Sequence, residues 1–180
     1  MSRVTYQEAE TYISELPKFT KKNTLEHTQK FLSFLGNPQN GKKVIHVAGT
    51  NGKGSVCKFL EAGLAECGYS VGLLTSPFIE SFNERIQLGG ENISDSDLEA
   101  YGNRALAAAA EMVAEGSESP TEFEVVTAIG LLYFAEKDAD IVILEVGLGG
   151  RGDSTNIIDK PLICAICSIS YDHMNVLGNT

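Results

Sequence analysis

The segment "GTNGKGS", residues 49–55, puts three glycines, one lysine and two hydroxyls into seven positions directly after the apolar run "VIHVA". That composition suits phosphate. Glycines let the backbone approach an anion, successive N–H groups can turn toward it, a following helix N-terminus adds partial positive charge, and a lysine reaches the terminal oxygens. Gly49, Thr50, Asn51, Gly52, Lys53, Gly54 and Ser55 are therefore the predicted phosphate-binding residues. The loop departs from the common G-x-x-x-x-G-K-[ST] pattern, because Gly54 follows Lys53 and defers the hydroxyl to Ser55. A plain strand-to-helix turn is the competing explanation, weakened by the apolar run before the loop and the helical pattern after it.

Three other apolar runs also end in polar groups: Thr75 and Ser76 after "SVGLL", Glu145 after "IVIL", and Asp172 and His173 after "LICAICSIS". Ligands of a parallel sheet gather outside the carboxyl ends of its strands, so the four stretches are expected to meet at one edge. Glu145 stands where P-loop enzymes place an acid that helps hold magnesium, although a lone acid also simply ends a strand. Magnesium takes oxygen ligands and keeps several waters, which makes Ser55, Ser76 and Glu145 chemically apt. His173 is less typical, and alone it reads as a loop histidine. The glycines of "EVGLGGRGDSTN" suit either close approach to a ligand or a flexible loop. Phe78, Phe82 and Phe123 could flank a flat ring, with core packing the default for each. His27 and His46 fall within regular elements and receive no role.

The elements that must position these groups follow from periodicity. Helices are expected over 5–16 and 23–35, the second with Leu25, Phe31, Leu32 and Leu35 near one face and Gly36 as its stop. "KVIHVA" reads as a buried strand. After the glycine loop, Val56, Phe59, Leu60, Leu64 and Cys67 recur at helical spacing, closed by Gly68. "SVGLLTS" is a second strand and "RIQLGGENI" a small hairpin turning at Gly89 and Gly90. Two more helices follow, one capped by Ser94 with Asp97, the other by Ser119 with Glu122 around Pro120. "ADIVILEVG" and "LICAICSIS" are strands apolar throughout, the pattern of strands covered on both faces. Strands separated by helices imply an α/β fold: a P-loop-type, mostly parallel sheet with helices on both faces.

Composition narrows the partners. The chain has 180 residues, 43% of them hydrophobic, enough for one core, and its formal charge of −10 repels nucleic acid and anionic membrane. No run approaches the roughly 20 apolar residues of a membrane span. The start "MSRVTYQEAE" lacks the basic-then-apolar order of a secretory signal, so a cytoplasmic protein is expected. Cys164 and Cys167 form a CxxC inside a strand, where residues three apart face opposite ways, so buried core thiols are expected rather than a zinc or redox pair.

Five stretches, "HVAGTNGKGS", "TSPFIESFNERI", "PTEFE", "ILEVGLGGRGDSTN" and "SISYDHMNVLGNT", occur in the order and approximate spacing of the folylpolyglutamate and dihydrofolate synthases. From about residue 20 nearly the whole chain resembles this family of ATP-dependent ligases in the Mur ligase superfamily. The family's phosphate loop itself reads GTNGKGS, displaced hydroxyl included. The resemblance implies that ATP phosphorylates a folate or dihydropteroate carboxylate and that the amino group of L-glutamate then attacks the acyl phosphate. It implies that Lys53, Glu145 and His173 are catalytic, and that Ser55, Ser76, Glu145 and His173 serve two magnesium sites. Thr121, Glu122, Phe123, Glu124, Asp153, Ser154, Thr155 and Phe78 would line the pterin or folate pocket.

The chain departs from the family's GGRLDATN at Gly152 and Ser154, and carries Phe78 where histidine is common. The family continues with "EKAG", a carbamylated lysine and a C-terminal domain. The expectation is therefore an N-terminal portion of the ATP-binding Mur ligase central domain, inactive by itself and part of a protein that is monomeric at full length. A P-loop kinase and a non-catalytic nucleotide-binding module are the alternatives.

Overall fold

The computed structural model describes residues 4–18 and 24–179. Six strands form one sheet in the order β4-β3-β2-β5-β1-β6, comprising β1 (Val44–Ala48), β2 (Val71–Leu74), β3 (Ile86–Leu88), β4 (Glu91–Asn92), β5 (Ile141–Glu145) and β6 (Ile163–Ile166). The four strands β2, β5, β1 and β6 run parallel, with Ile45 opposite both Ile143 and Ile163 and Leu73 also opposite Ile143. The expected hairpin at Gly89 and Gly90 is the antiparallel pair β3 and β4, added to the β2 edge.

Side-chain alternation divides the core into two layers. Val44, Leu74, Val142 and Leu144 face a large cluster with α1 (Tyr6–Glu15), α2 (Leu25–Ser33), α4 (Asp95–Ala114) and α5 (Glu122–Glu136). Ile45, Val47, Val71, Leu73 and Ile143 face the other way and pack with Cys57 of α3 (Lys53–Glu66). Helices thus cover both faces, as the sequence implies. Each fully buried Leu, Ile or Phe contributes about 1.5–3 kcal/mol by leaving water. Among the described residues no helix is long and apolar enough to cross a membrane.

The helices begin where their polar residues can cap them. Thr5, Thr24 and Ser94 accept from backbone N–H groups of α1, α2 and α4. The second helix forms within the expected 23–35, position 23 lying outside the described residues. Two local expectations are corrected. The cap of α5 is Thr121 with Glu124, a reciprocal box two residues beyond the expected Ser119 and Glu122. On α3 the expected Val56, Leu60 and Leu64 pack inward, but Cys57 and Glu61 are the buried positions, and Phe59, 79% exposed, and Cys67 lie outside the face. Within the described residues β6 pairs only with β1, and there Ile166 and Cys164 are exposed. All four cysteines are free. A one-turn helix, α6 (Met174–Leu177), follows β6.

Candidate active site

The phosphate loop joins β1 to α3 at the carboxyl edge of the sheet. Gly49 has φ 133° and its α-carbon lies so close to Cys167 that a Cβ would come 2.8 Å from the cysteine's. Only glycine fits there. Gly52 is the N-cap of α3 with φ 86° and offers no capping side chain, and the first turn of α3 contains no acid. The N–H groups of that turn therefore keep their partial positive charge for an anion. Lys53 opens the helix, its ammonium donating to the Thr50 carbonyl at 3.2 Å. The loop is stitched to the segment after β6: Thr50 N–H donates to Ser168 O (2.8 Å), Ser170 N–H to Thr50 Oγ1 (3.0 Å), and Thr50 Oγ1–H to Ser170 O (3.1 Å).

Glu145 ends β5 directly behind this loop and is 5% exposed. Its Oε2 accepts from Ser76 N–H at 3.1 Å, and both carboxylate oxygens lie just under 4 Å from where a Gly54 Cβ would stand. Burial pushes the carboxyl up from its ordinary pKa, against the opposing pull of the Ser76 N–H and the Lys53 charge. Lys53 and Glu145 thus share one electrostatic neighbourhood. Cys57, one turn into α3, is pushed up to about 12, first by burial and then by Glu145 and Cys167. His173 has φ 45°, is exposed, and its backbone N–H donates to Asp172 Oδ1 at 2.8 Å.

A cavity of about 960 Å³ opens beside the loop. Its walls come from three of the four stretches expected to meet, Thr50 and Lys53, Ser76, and Asp172 and His173, joined by Phe78, by Thr121, Glu122, Phe123 and Glu124, and by residues 147–154. A smaller space of about 290 Å³ adjoins it, sharing Thr50, Lys53 and His173 and adding Gly49, Ile169 and Tyr171. Asn51, Gly52, Gly54, Ser55, Glu145 and Thr155 line neither.

Several predicted pocket residues are committed to one another. The Glu124 carboxylate is 4% exposed and accepts from Thr121 N–H (2.9 Å) and Thr121 Oγ1–H (3.1 Å), and across to α2 from Thr28 Oγ1–H and His27 Nδ1–H, both 2.8 Å. Glu124 thus borders the cavity while its oxygens tie α5 to α2. Asp153 accepts from Leu148 N–H (2.8 Å), Thr155 N–H (2.9 Å) and Thr155 Oγ1–H, closing the glycine-rich loop. Because the Thr155 hydroxyl donates to Asp153, it accepts from His46 Nε2–H at 2.8 Å. Thr155 is fully buried and holds this loop. Burial lowers the His46 pKa, with Asp153 pulling the other way. His27 and His46, unassigned from sequence, are both positioning groups.

Phe123 and Phe78 face the cavity, whereas Phe82 is core. A Cβ at Gly147 would meet the Phe123 ring at 2.8 Å, so the loop's glycine is what lets that ring lie against it. Arg85 escaped the sequence reading. It lines the cavity between the rings of Phe82 (5.4 Å) and Phe123 (5.9 Å) and pairs with Glu122 at 2.6 Å. An arginine spaced irregularly from its aromatic partners gives no sequence signal.

Among the described residues no three His, Cys, Asp or Glu side chains cluster to hold a metal. Magnesium needs no such cluster, since one or two carboxylates and substrate phosphates suffice. Glu145, aimed at the start of α3 beside Ser76, fits that requirement, while Ser55 is exposed and outside both cavities.

No protein-family model matches the chain. Over 176 residues it is 46% identical to the dihydrofolate synthase/folylpolyglutamate synthase of Bacillus subtilis, covering 97% of this chain and 41% of that protein. The apo folylpolyglutamate synthase of L. casei superposes with a TM-score of 0.92 at 39% identity, over 98% of this chain and 43% of that one. A folylpolyglutamate synthase complex with AMPPCP and folate gives 0.93 at 38% identity with the same coverage. The chain belongs to the folylpolyglutamate and dihydrofolate synthase family, and it spans about two fifths of the length of the relatives it matches.

Proposed function

We propose that the chain is the N-terminal portion of a cytoplasmic ATP-dependent ligase that adds L-glutamate to a folate, to dihydropteroate, or to both. The observation that carries this reading is the single cavity walled on one side by Thr50 and Lys53 and on the other by Phe78, Phe123 and the glycine-rich loop. A relative's complex with both AMPPCP and folate supports pairing those two ligands.

In this reading the ATP phosphates lie on the N–H groups at the start of α3 and Lys53 balances the charge of the γ-phosphoryl group. A folate carboxylate oxygen attacks that phosphorus, the bond to the β-phosphate oxygen breaks, and ADP and an acyl phosphate result. The glutamate amino group adds to the carbonyl carbon and loses a proton, and the tetrahedral intermediate expels inorganic phosphate to leave the amide. Glu145 and Ser76, with His173, would hold magnesium, which supplies charge neutralisation at the phosphate oxygens. Phe78 and Phe123 flank the pterin, and Arg85 and Glu122 brace Phe123. Reactants held together in this walled space would meet in a local step rather than by free encounter, with water limited.

The test is the reactant dependence of ADP release by the full protein. Release should require folate or dihydropteroate, L-glutamate and magnesium together, with product heavier by one glutamyl residue. A stable phosphorylated product accumulating without glutamate would instead establish a kinase, and nucleotide binding without any turnover a non-catalytic module.

A further inference from the structure

The segment between β2 and β3 contains a staple that the proposed reaction does not use. After Ser76, residues 77–81 leave the sheet edge and return as a 3-10 turn, Phe82–Arg85. Three of the turn's four side chains anchor inward: Phe82 in the core, Asn83 donating to Ile93 O (2.8 Å) and Asp95 Oδ1 (2.9 Å), and Arg85 on Glu122. The fourth, Glu84, turns back on the segment. Its Oε2 accepts from Ile79 N–H (2.8 Å), and its Oε1 from Glu80 N–H (3.0 Å) and Ser81 N–H (2.9 Å).

Three successive backbone donors on one carboxylate define the path of a segment otherwise held by Ser76 N–H on Glu145 and by the Phe78 ring tilted against Phe82, centroids 5.9 Å apart. Ile79 is 90% exposed, and Phe78 is half exposed at the cavity mouth. Backbone left unfixed regains about 1–2 kcal/mol of conformational entropy per residue, so an unstapled segment would scatter the ring. The same three donors hold the Glu84 carboxyl below its ordinary pKa, the Ile79 N–H first.

We propose that Glu84 is a positioning residue, whose carboxylate gathers the N–H groups of Ile79, Glu80 and Ser81 and so fixes Phe78 at the cavity wall to receive the aromatic acceptor substrate. Glu84 touches no reacting atom. It acts on the acceptor side alone, because the phosphate loop is held separately through Thr50 and the segment after β6. The inference rests on the ligase reading for the identity of the acceptor. It rests on the hydrogen bonds alone for the staple.

The test compares the full protein with its Glu84→Ala and Glu84→Gln variants by amide hydrogen exchange and by steady-state kinetics. In Glu84→Ala, exchange at Ile79, Glu80 and Ser81 should accelerate while the amides of α5 keep their protection, showing that the fold is intact. The KM for the folate acceptor should rise about 10- to 100-fold, the scale of freeing one or two backbone residues, with the KM for ATP within about twofold. Glu84→Gln should recover part of both losses, since its side-chain carbonyl still accepts from two of the three donors. Unchanged protection at 79–81 would overturn the staple. Freed amides with an unchanged acceptor KM, or both KM values rising together, would overturn the positioning role. If the unsubstituted protein joins no glutamate to folate, the ligase reading falls, and the exchange result then decides the staple by itself.

Discussion

Glu124→Ala discriminates most sharply between a residue that touches ligand and one that holds the site together. Four donors end on this buried carboxylate: His27 Nδ1–H, Thr28 Oγ1–H, Thr121 N–H and Thr121 Oγ1–H, at 2.8 to 3.1 Å. The two hydroxyls can rotate to other acceptors, but the Thr121 amide and the His27 ring N–H cannot. Each stranded buried donor costs about 1–3 kcal/mol, and the tie between α2 and α5 is lost as well. With two donors stranded, the expected destabilisation is about 2–6 kcal/mol. In a chain this size that lowers the melting midpoint by roughly 10 °C. Urea unfolding followed by far-UV circular dichroism reads it directly, and Thr28→Ala combined with Glu124→Ala should cost less than the sum of the two, because the residues share one bond. A Glu124→Ala protein within about 0.5 kcal/mol of the parent, combined with a large loss of folate affinity, would refute the argument and return Glu124 to the ligand.

Further outcomes follow from the same geometry. Lys53→Ala should lower turnover by about 100-fold or more while unfolding stability changes by less than about 1 kcal/mol, since the ammonium's one described bond is to the Thr50 carbonyl; turnover near the parent's would remove Lys53 from the chemistry. A carboxyl whose folded pKa is raised favours folding below its unfolded value and loses that contribution as pH rises through the folded value. Burial raises Glu145 in this way, so Glu145→Gln should raise the melting midpoint at pH 7, with the gain fading toward pH 4, while abolishing turnover. With its thiol buried and pushed up to about 12, Cys57 should resist an alkylating reagent at pH 8 that labels exposed Cys67, as mass spectrometry of peptides would report.

The parallel sheet and its loaded edge were legible because each strand is a short apolar run with punctuation at its carboxyl end. Gly89 and Gly90 marked the hairpin, and Gly36 and Gly68 follow their helices with φ of 77° and 86°. Long-range choices were not legible. Ser119 with Glu122 and Thr121 with Glu124 have the same cap spacing, and only the bonds from Glu124 to His27 and Thr28, nearly a hundred residues away, select the second. Periodicity likewise found Val56, Leu60 and Leu64 on the inward face of α3 but not its centre, which is set by Cys57 meeting the sheet and leaves Phe59 outside. Thr155 and Asp153 were found as a motif, yet their service to His46 depends on β1 lying beneath them.

Diffraction from crystals of the full protein with a non-hydrolysable ATP analogue, magnesium and folate tests the central claim most directly. The triphosphate should lie on the N–H groups opening α3 with its γ-phosphate on Lys53, and the pterin should lie beside Phe123 in the same cavity. A folate seated away from Phe78 and Phe123, or a γ-phosphate out of reach of Lys53, would contradict the shared site.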